Sequence, residues 1–80
     1  MNDTLTEIIK KIVDNPDAIS VEEQREESRV IYVIHADTAD IGKIIGKNGR
    51  IIRALRDLVK LMATKRNIYA DVVISEENRP

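Results

Sequence analysis

The sequence has no cysteine, no tryptophan and no phenylalanine, and only two tyrosines, two prolines and one histidine. Without cysteine there is no disulfide scaffold, no thiolate metal site and no cysteine nucleophile. The same absence fits a reducing compartment. His35 has no second histidine or cysteine to complete a ligand set, and it reads as an ordinary strand-end residue. Many single-strand binders lay bases on aromatic platforms; here only Tyr32 and Tyr69 are available, both in strand-like runs where packing accounts for them. No apolar run approaches the roughly 20 residues needed to span a bilayer. The start, Met1-Asn2-Asp3-Thr4-Leu5, is polar and acidic, unlike a secretory signal. These absences give the expectation of a soluble cytoplasmic protein. No nucleophile–base pair, metal set or nucleotide loop is present, so neither an enzyme nor a cofactor is expected.

A chain of 80 residues allows one domain. It is expected over residues 1–75, with residues 76–80 as a flexible tail. So small a domain needs a core dense in aliphatics, and Ile, Val, Leu and Ala supply most of a 42% hydrophobic content. The net charge of −1 hides an uneven spread. From Asp40 to Arg66, eight Lys and Arg stand against two Asp, a net +6 that leaves −7 for the rest. Local field, rather than net charge, steers a polyanion.

Thr4-Leu5-Thr6-Glu7 reads as a capping box opening a helix. Leu5, Ile8, Ile9, Ile12 and Val13 follow as one apolar stripe. Asn15 precedes Pro16 and ends it. A first strand is expected over residues 18–24, with Ile19 and Val21 on its apolar side. Glu22, Glu23, Glu26 and Glu27 suit an exposed edge. A turn over residues 25–28 leads into Arg29-Val30-Ile31-Tyr32-Val33-Ile34-His35, apolar on both faces and so central in a sheet. Asp37 and Asp40 are candidate N-caps of a short helix over 38–45. A longer helix over 50–65 buries Ile51, Ile52, Leu55, Leu58, Val59 and Met62, with Arg53, Arg56 and Lys60 largely opposite. Asn67 stops it, and a last strand runs over 68–74. The order α-β-β-α-α-β with three strands predicts an α+β fold, a sheet with helices packed on one face.

All three glycines, Gly42, Gly46 and Gly49, lie within eight residues of the basic segment. Each costs a helix roughly 1 kcal/mol against Ala, so their clustering needs a reason. Glycines permit a tight turn between two helices, and they let a phosphodiester approach with no side chain in the way. The second helix then presents its first-turn amides and positive dipole end to whatever binds. Other glycine motifs fit worse. A Walker A loop needs four residues between its glycines and then Lys-Ser/Thr; Gly42 and Gly46 enclose three, and Asn48 follows Lys47. The dinucleotide pattern G-x-G-x-x-G is absent. A helix-turn-helix would have a very short first helix and no use for two flanking glycines.

Ile44-Ile45-Gly46-Lys47-Asn48-Gly49-Arg50-Ile51-Ile52 resembles the I-G-x-x-G-x-x-I core of a KH domain, a module for single-stranded nucleic acid. The element order resembles the type II, bacterial form, and the whole chain is similar to the small stand-alone KH proteins of the KhpA type. That resemblance implies single-stranded RNA held by the Gly46-Lys47-Asn48-Gly49 loop, whose glycines admit about four nucleotides of backbone. It implies charge and hydrogen bonds from Lys43, Lys47, Asn48, Arg50 and Arg53, a groove floor of Gly42 and Ile45, and a buried Ile52. It further implies a homodimer, or a heteromer with a KhpB (Jag)-like KH-containing protein. The roles implied are post-transcriptional regulation or RNA chaperoning, linked to cell elongation and division. The residues alone leave two rivals: a protein–protein adaptor that dimerises through the G-x-x-G face, and a helix-turn-helix binder of duplex DNA.

Overall fold

The computed structural model describes residues 2–75. The tail expected over residues 76–80 lies outside the described residues. The elements are α1 (Asn2–Lys10), β1 (Ser20–Glu26), β2 (Arg29–His35), α2 (Thr38–Ile45), α3 (Arg50–Thr64) and β3 (Tyr69–Ile74). The expected order is therefore observed.

Burial fixes α1. Leu5 and Ile9 are fully buried, which sets one stripe of the helix against the core, and Val13, beyond the helix end, is nearly so. The helix begins at Asn2, so Thr4 lies inside it and the expected capping box does not form its start. Asp3 occupies the first turn, where a carboxylate suits the helix dipole. After Lys10 the turn tightens, with Lys11 N donating to Ile8 O and Ile12 N to Ile9 O. A single 3-10 turn, Pro16–Ala18, then displaces the first strand two residues beyond its expected start.

β1 pairs antiparallel with β2, and Glu26 faces Arg29 across a turn of only Glu27 and Ser28. Glu27 carries φ +41, as the first position of a primed hairpin turn requires. Nothing in a glutamate signals that conformation, which is why a wider turn is expected from sequence. β3 pairs parallel with β2 on the other side, giving the order β1-β2-β3 with β2 central. Val30, Tyr32 and Ile34 of β2 and Ala70 and Val72 of β3 face inward and are buried. Desolvation, reinforced by Glu23 and opposed by Arg25 and Arg66, holds the Tyr32 phenol pKa above its ordinary value.

The helices cover one face of this sheet. α3 buries Leu55, Val59 and Ala63, with Ile51, Ile52 and Met62 half-buried against the same core. Ala63 is the member that the sequence reading passes over. The turn that follows α3 ends at Asn67, whose φ is +57. Ile68 N donates to Ala63 O and Asn67 N to Thr64 O, the paired bonds of a Schellman motif. The chain then reverses directly into β3.

Arg56 turns the free edge of β3 to use. Tyr69 N and Ser75 N donate toward β2, so the backbone of Val72 points away from the sheet. Arg56 Nε donates to Val72 O at 3.1 Å, and Asp71 Oδ1 accepts from Val72 N at 2.7 Å. Arg56 and Asp71 also pair at 3.4 Å. The two side chains close the middle of an edge that would otherwise be open to another strand.

Candidate nucleic-acid interface

α2 is only eight residues long and contains a glycine, so it needs anchors beyond its own hydrogen bonds. Asp37 supplies one as N-cap, with Oδ1 accepting from Ala39 N at 2.9 Å. Ile44 supplies a second by full burial. The third is Asp40, which is only 1% exposed. Its carboxylate accepts from Asp14 N at 3.2 Å, Asn15 N at 2.9 Å and Asn15 Nδ2 at 3.0 Å. Asp40 therefore ties α2 to the loop after α1 and is not the N-cap that the sequence also allows. Burial pushes its carboxyl pKa up, but the Asn15 side chain and the two backbone amides outweigh that and hold it below its ordinary value.

Gly46 ends α2, its amide donating to Gly42 O at 2.9 Å, with φ +77 and ψ 171. That region of backbone space is essentially reserved for glycine. A side chain there would also meet α3, since an added Cβ would lie 2.6 Å from Ile51 Cγ1. Gly46 is thus required by the fold itself, beyond the room for phosphate that the sequence suggests. Lys47–Gly49 form one 3-10 turn, in which Asn48 takes φ +59 and Gly49 φ +73. Gly49 is the N-cap of α3 and, being glycine, offers no side-chain cap to its first turn. The loop closes on itself, with Gly49 N donating to Gly46 O and Arg50 N to Lys47 O, and it brings the positive end of the α3 dipole to a point where Lys47, Asn48 and Arg50 are exposed.

Gly42 is different. It lies inside α2 with nothing within 4 Å of the place a Cβ would occupy. Three residues on, and so on the same side of the helix, Ile45 is 38% exposed. A bare backbone patch and an apolar side chain thus stand next to the loop. Arg50 and Arg53, also three apart, present exposed guanidinium groups along the first turns of α3. Ile52 is half-buried on the core side of that helix. Lys43, in contrast, is paired with Asp14.

The model of the KhpA/KhpB KH domain matches residues 2–74. The chain belongs to this family. The match spans every described element. Among relatives, the RNA-binding protein KhpA of Chlamydia caviae is 39% identical over 77 residues, covering 96% of this chain and 99% of that one. The RNA-binding protein KhpA of Oceanobacillus iheyensis is 39% identical over 75 residues, covering 91% of this chain and all of that one. That of Caldanaerobacter subterraneus is 43% identical over 65 residues, covering 81% and 87%. No solved structure matches the chain.

Within this KH framework the remaining cations take different places. Lys65 and Arg66 line a cleft of about 350 Å³ with Leu61 and Met62 at the far end of α3, where cations suit the dipole. Arg56 is committed to the β3 edge. Tyr69 is half exposed rather than packed, with the Arg29 guanidinium 5.9 Å from its ring centre, which corrects the packing reading for Tyr69, whereas Tyr32 is buried in the core as expected. His35 lies against Glu22, Nε2 to Oε1 at 3.2 Å. Among the described residues no helix is long and apolar enough to cross a membrane. Asp40, Arg56 and Asp14 are the site-shaping residues that sequence reasoning misses. Each acts through a partner far away in the chain, and no local pattern marks such a pairing.

Proposed function

We propose that this chain binds single-stranded RNA by clamping the backbone of a few nucleotides at Gly46-Lys47-Asn48-Gly49. The observation that carries this reading is Gly42, a helical glycine on an exposed surface with empty space where its side chain would be. It costs α2 about 1 kcal/mol against alanine and relieves no contact in the fold. An approaching strand accounts for it. Ile45 then offers an apolar surface to a base, while Lys47, Asn48, Arg50 and Arg53 hold phosphates and sugars. The name RNA-binding protein, borne by relatives that match over most of their length, supports the same ligand.

With no stacked aromatic platform beside the loop, one module binds weakly and with little sequence discrimination. Two linked modules recover affinity through effective concentration, which favours a homodimer or a heteromer with a KhpB (Jag)-like KH-containing protein. The domain acts as one KH unit over residues 1–75, is non-catalytic and works in the cytoplasm. Its role is post-transcriptional, as a regulator or RNA chaperone linked to cell elongation and division.

Titration of a labelled random-sequence single-stranded RNA with the wild type and with Lys47→Asp/Asn48→Asp tests the clamp. The wild type should bind with a log–log salt slope of about −2 to −4, at roughly 0.7 per phosphate contact. The folded variant should not bind. Equal binding by both, or by neither, overturns the reading. Loss of self-association ahead of RNA binding points instead to an adaptor.

A further inference from the structure

Lys43 belongs to the basic segment, but the fold has already engaged it. Its ammonium donates to the Asp14 carboxylate. Asp40 stands one turn earlier on the same side of α2, buried and holding the Asp14 and Asn15 amides. The hydrogen bond to Asp14 raises the Lys43 pKa, burial opposes it, and the charges of Asp14 and Asp40 add to it. Two carboxylates thus face one ammonium, and this corner of α2 carries a net −1 where the sequence reads basic. At about 100° per residue, Lys43 leaves α2 roughly 100° from Gly42 and 160° from Ile45, so its long side chain reaches a strand over Gly42 only by swinging away from Asp14. Among the described residues none pairs with the side chains of Lys47, Arg50 or Arg53. The positive surface is therefore polarised toward the loop and the start of α3.

We propose that Asp14 withdraws Lys43 from the interface, so that the phosphate path of a bound strand covers the loop and the first turns of α3 and ends there. Asp14 thereby sets the affinity below what the basic segment offers. This rests on the reading of the loop as an RNA clamp.

The geometry makes Asp14 separable from the fold. Its side chain is 74% exposed, and Lys43 is 44% exposed. Its anchoring to Asp40 runs through its backbone amide, which Asp14→Asn retains. An exposed pair is weak, so the gain from breaking it is modest. Releasing the lysine adds one phosphate contact, which a change in salt slope reports and a general loosening of the fold does not.

The test is the titration of the same random-sequence RNA with the wild type, Asp14→Asn, Asp17→Asn, Lys43→Gln and Asp14→Asn/Lys43→Gln, with thermal melts of each. Asp17→Asn makes the same change in net charge on an exposed residue of the adjoining turn. Asp14→Asn should tighten binding about two- to fivefold at low salt and steepen the log–log slope by about 0.7. Asp17→Asn should leave the slope unchanged, and the Asp14 substitution should do nothing in the Lys43→Gln background. Equal effects of the two aspartate substitutions, an unchanged slope for Asp14→Asn, or an effect that persists without Lys43 would each overturn the inference. Wild-type binding with an unchanged Asp14→Asn slope rejects this inference alone. Absence of wild-type binding rejects the RNA reading and this inference together.

Discussion

Replacing each glycine by alanine in turn should give three different outcomes, because the three positions differ physically. Gly46 has φ +77 and ψ 171. A non-glycine residue in that region costs on the order of 1–3 kcal/mol. The new Cβ would also lie 2.6 Å from Ile51 Cγ1 and 2.9 Å from both Ile51 Cβ and Ile51 N. Two of those three atoms lie at the base of the residue and cannot swing away, so overpacking adds about 1–3 kcal/mol. Gly46→Ala should therefore lose about 2–6 kcal/mol. A chain of this length holds on the order of 4–12 kcal/mol in all. Gly49 has φ +73 and ψ 18, and its added Cβ meets nothing nearer than Ile52 Cγ2 at 4.0 Å. Gly49→Ala should cost only the left-handed penalty, about 1–2 kcal/mol. Gly42→Ala meets nothing and improves helix propensity, so it should gain about 0.5–1 kcal/mol. Urea unfolding followed by circular dichroism reads all three. At roughly 4–8 °C per kcal/mol, thermal melts should rank them in the same order. Only Gly42→Ala should combine higher stability with weaker RNA binding. A Gly46→Ala protein as stable as the wild type, or a Gly42→Ala protein that is less stable, would refute the reasoning.

Two further perturbations test the tertiary pairings. Asp40→Asn removes a carboxylate whose pKa is lowered in the folded state, and a lowered folded pKa gives stability that is present above the unfolded value of about 4 and lost as pH falls through the folded one. The variant should melt below the wild type at pH 7, and the two curves should converge on the acid side of pH 4; a gap constant with pH contradicts this. Arg56→Met takes away the donor on Val72 O, which should cost about 0.5–1.5 kcal/mol and open the β3 edge to other chains. Sedimentation at rising protein concentration should show larger species for this variant; an unaltered profile at unaltered stability contradicts the edge-sealing role.

Most of the architecture is legible because it rests on period and punctuation. The run from Arg29 to His35 is apolar on both sides, and it is the central strand. Asn67 sits where the left-handed stop is needed. The glycine cluster marks the break between two helices because no other residue takes the backbone of Gly46 without strain. The misses have a common cause. Thr4 is a good cap by local pattern, but the helix already runs from Asn2 and takes Thr4 into its first turn. Asp40 looks like one more helix-start carboxylate, and only folding brings Asp14 and Asn15 to it, 26 and 25 residues away in sequence. Lys43 and Arg56 look like surface cations available to phosphate, and both are engaged by partners that sequence spacing cannot identify. Local rules find the elements and the loop, whereas the charge that the loop presents depends on long-range pairing.

The most direct measurement of the clamp is an amide chemical-shift map of the wild-type protein titrated with an unstructured single-stranded RNA oligonucleotide at low salt. The largest changes should fall on Gly42, Ile45 to Arg50 and Arg53, with the outer-face residues Ile31, Val33 and Tyr69 and the far end of α3 near Lys65 unmoved. Changes centred on the outer sheet face, or none at RNA concentrations that saturate a weak site, would contradict the assignment of this loop as the RNA-binding surface.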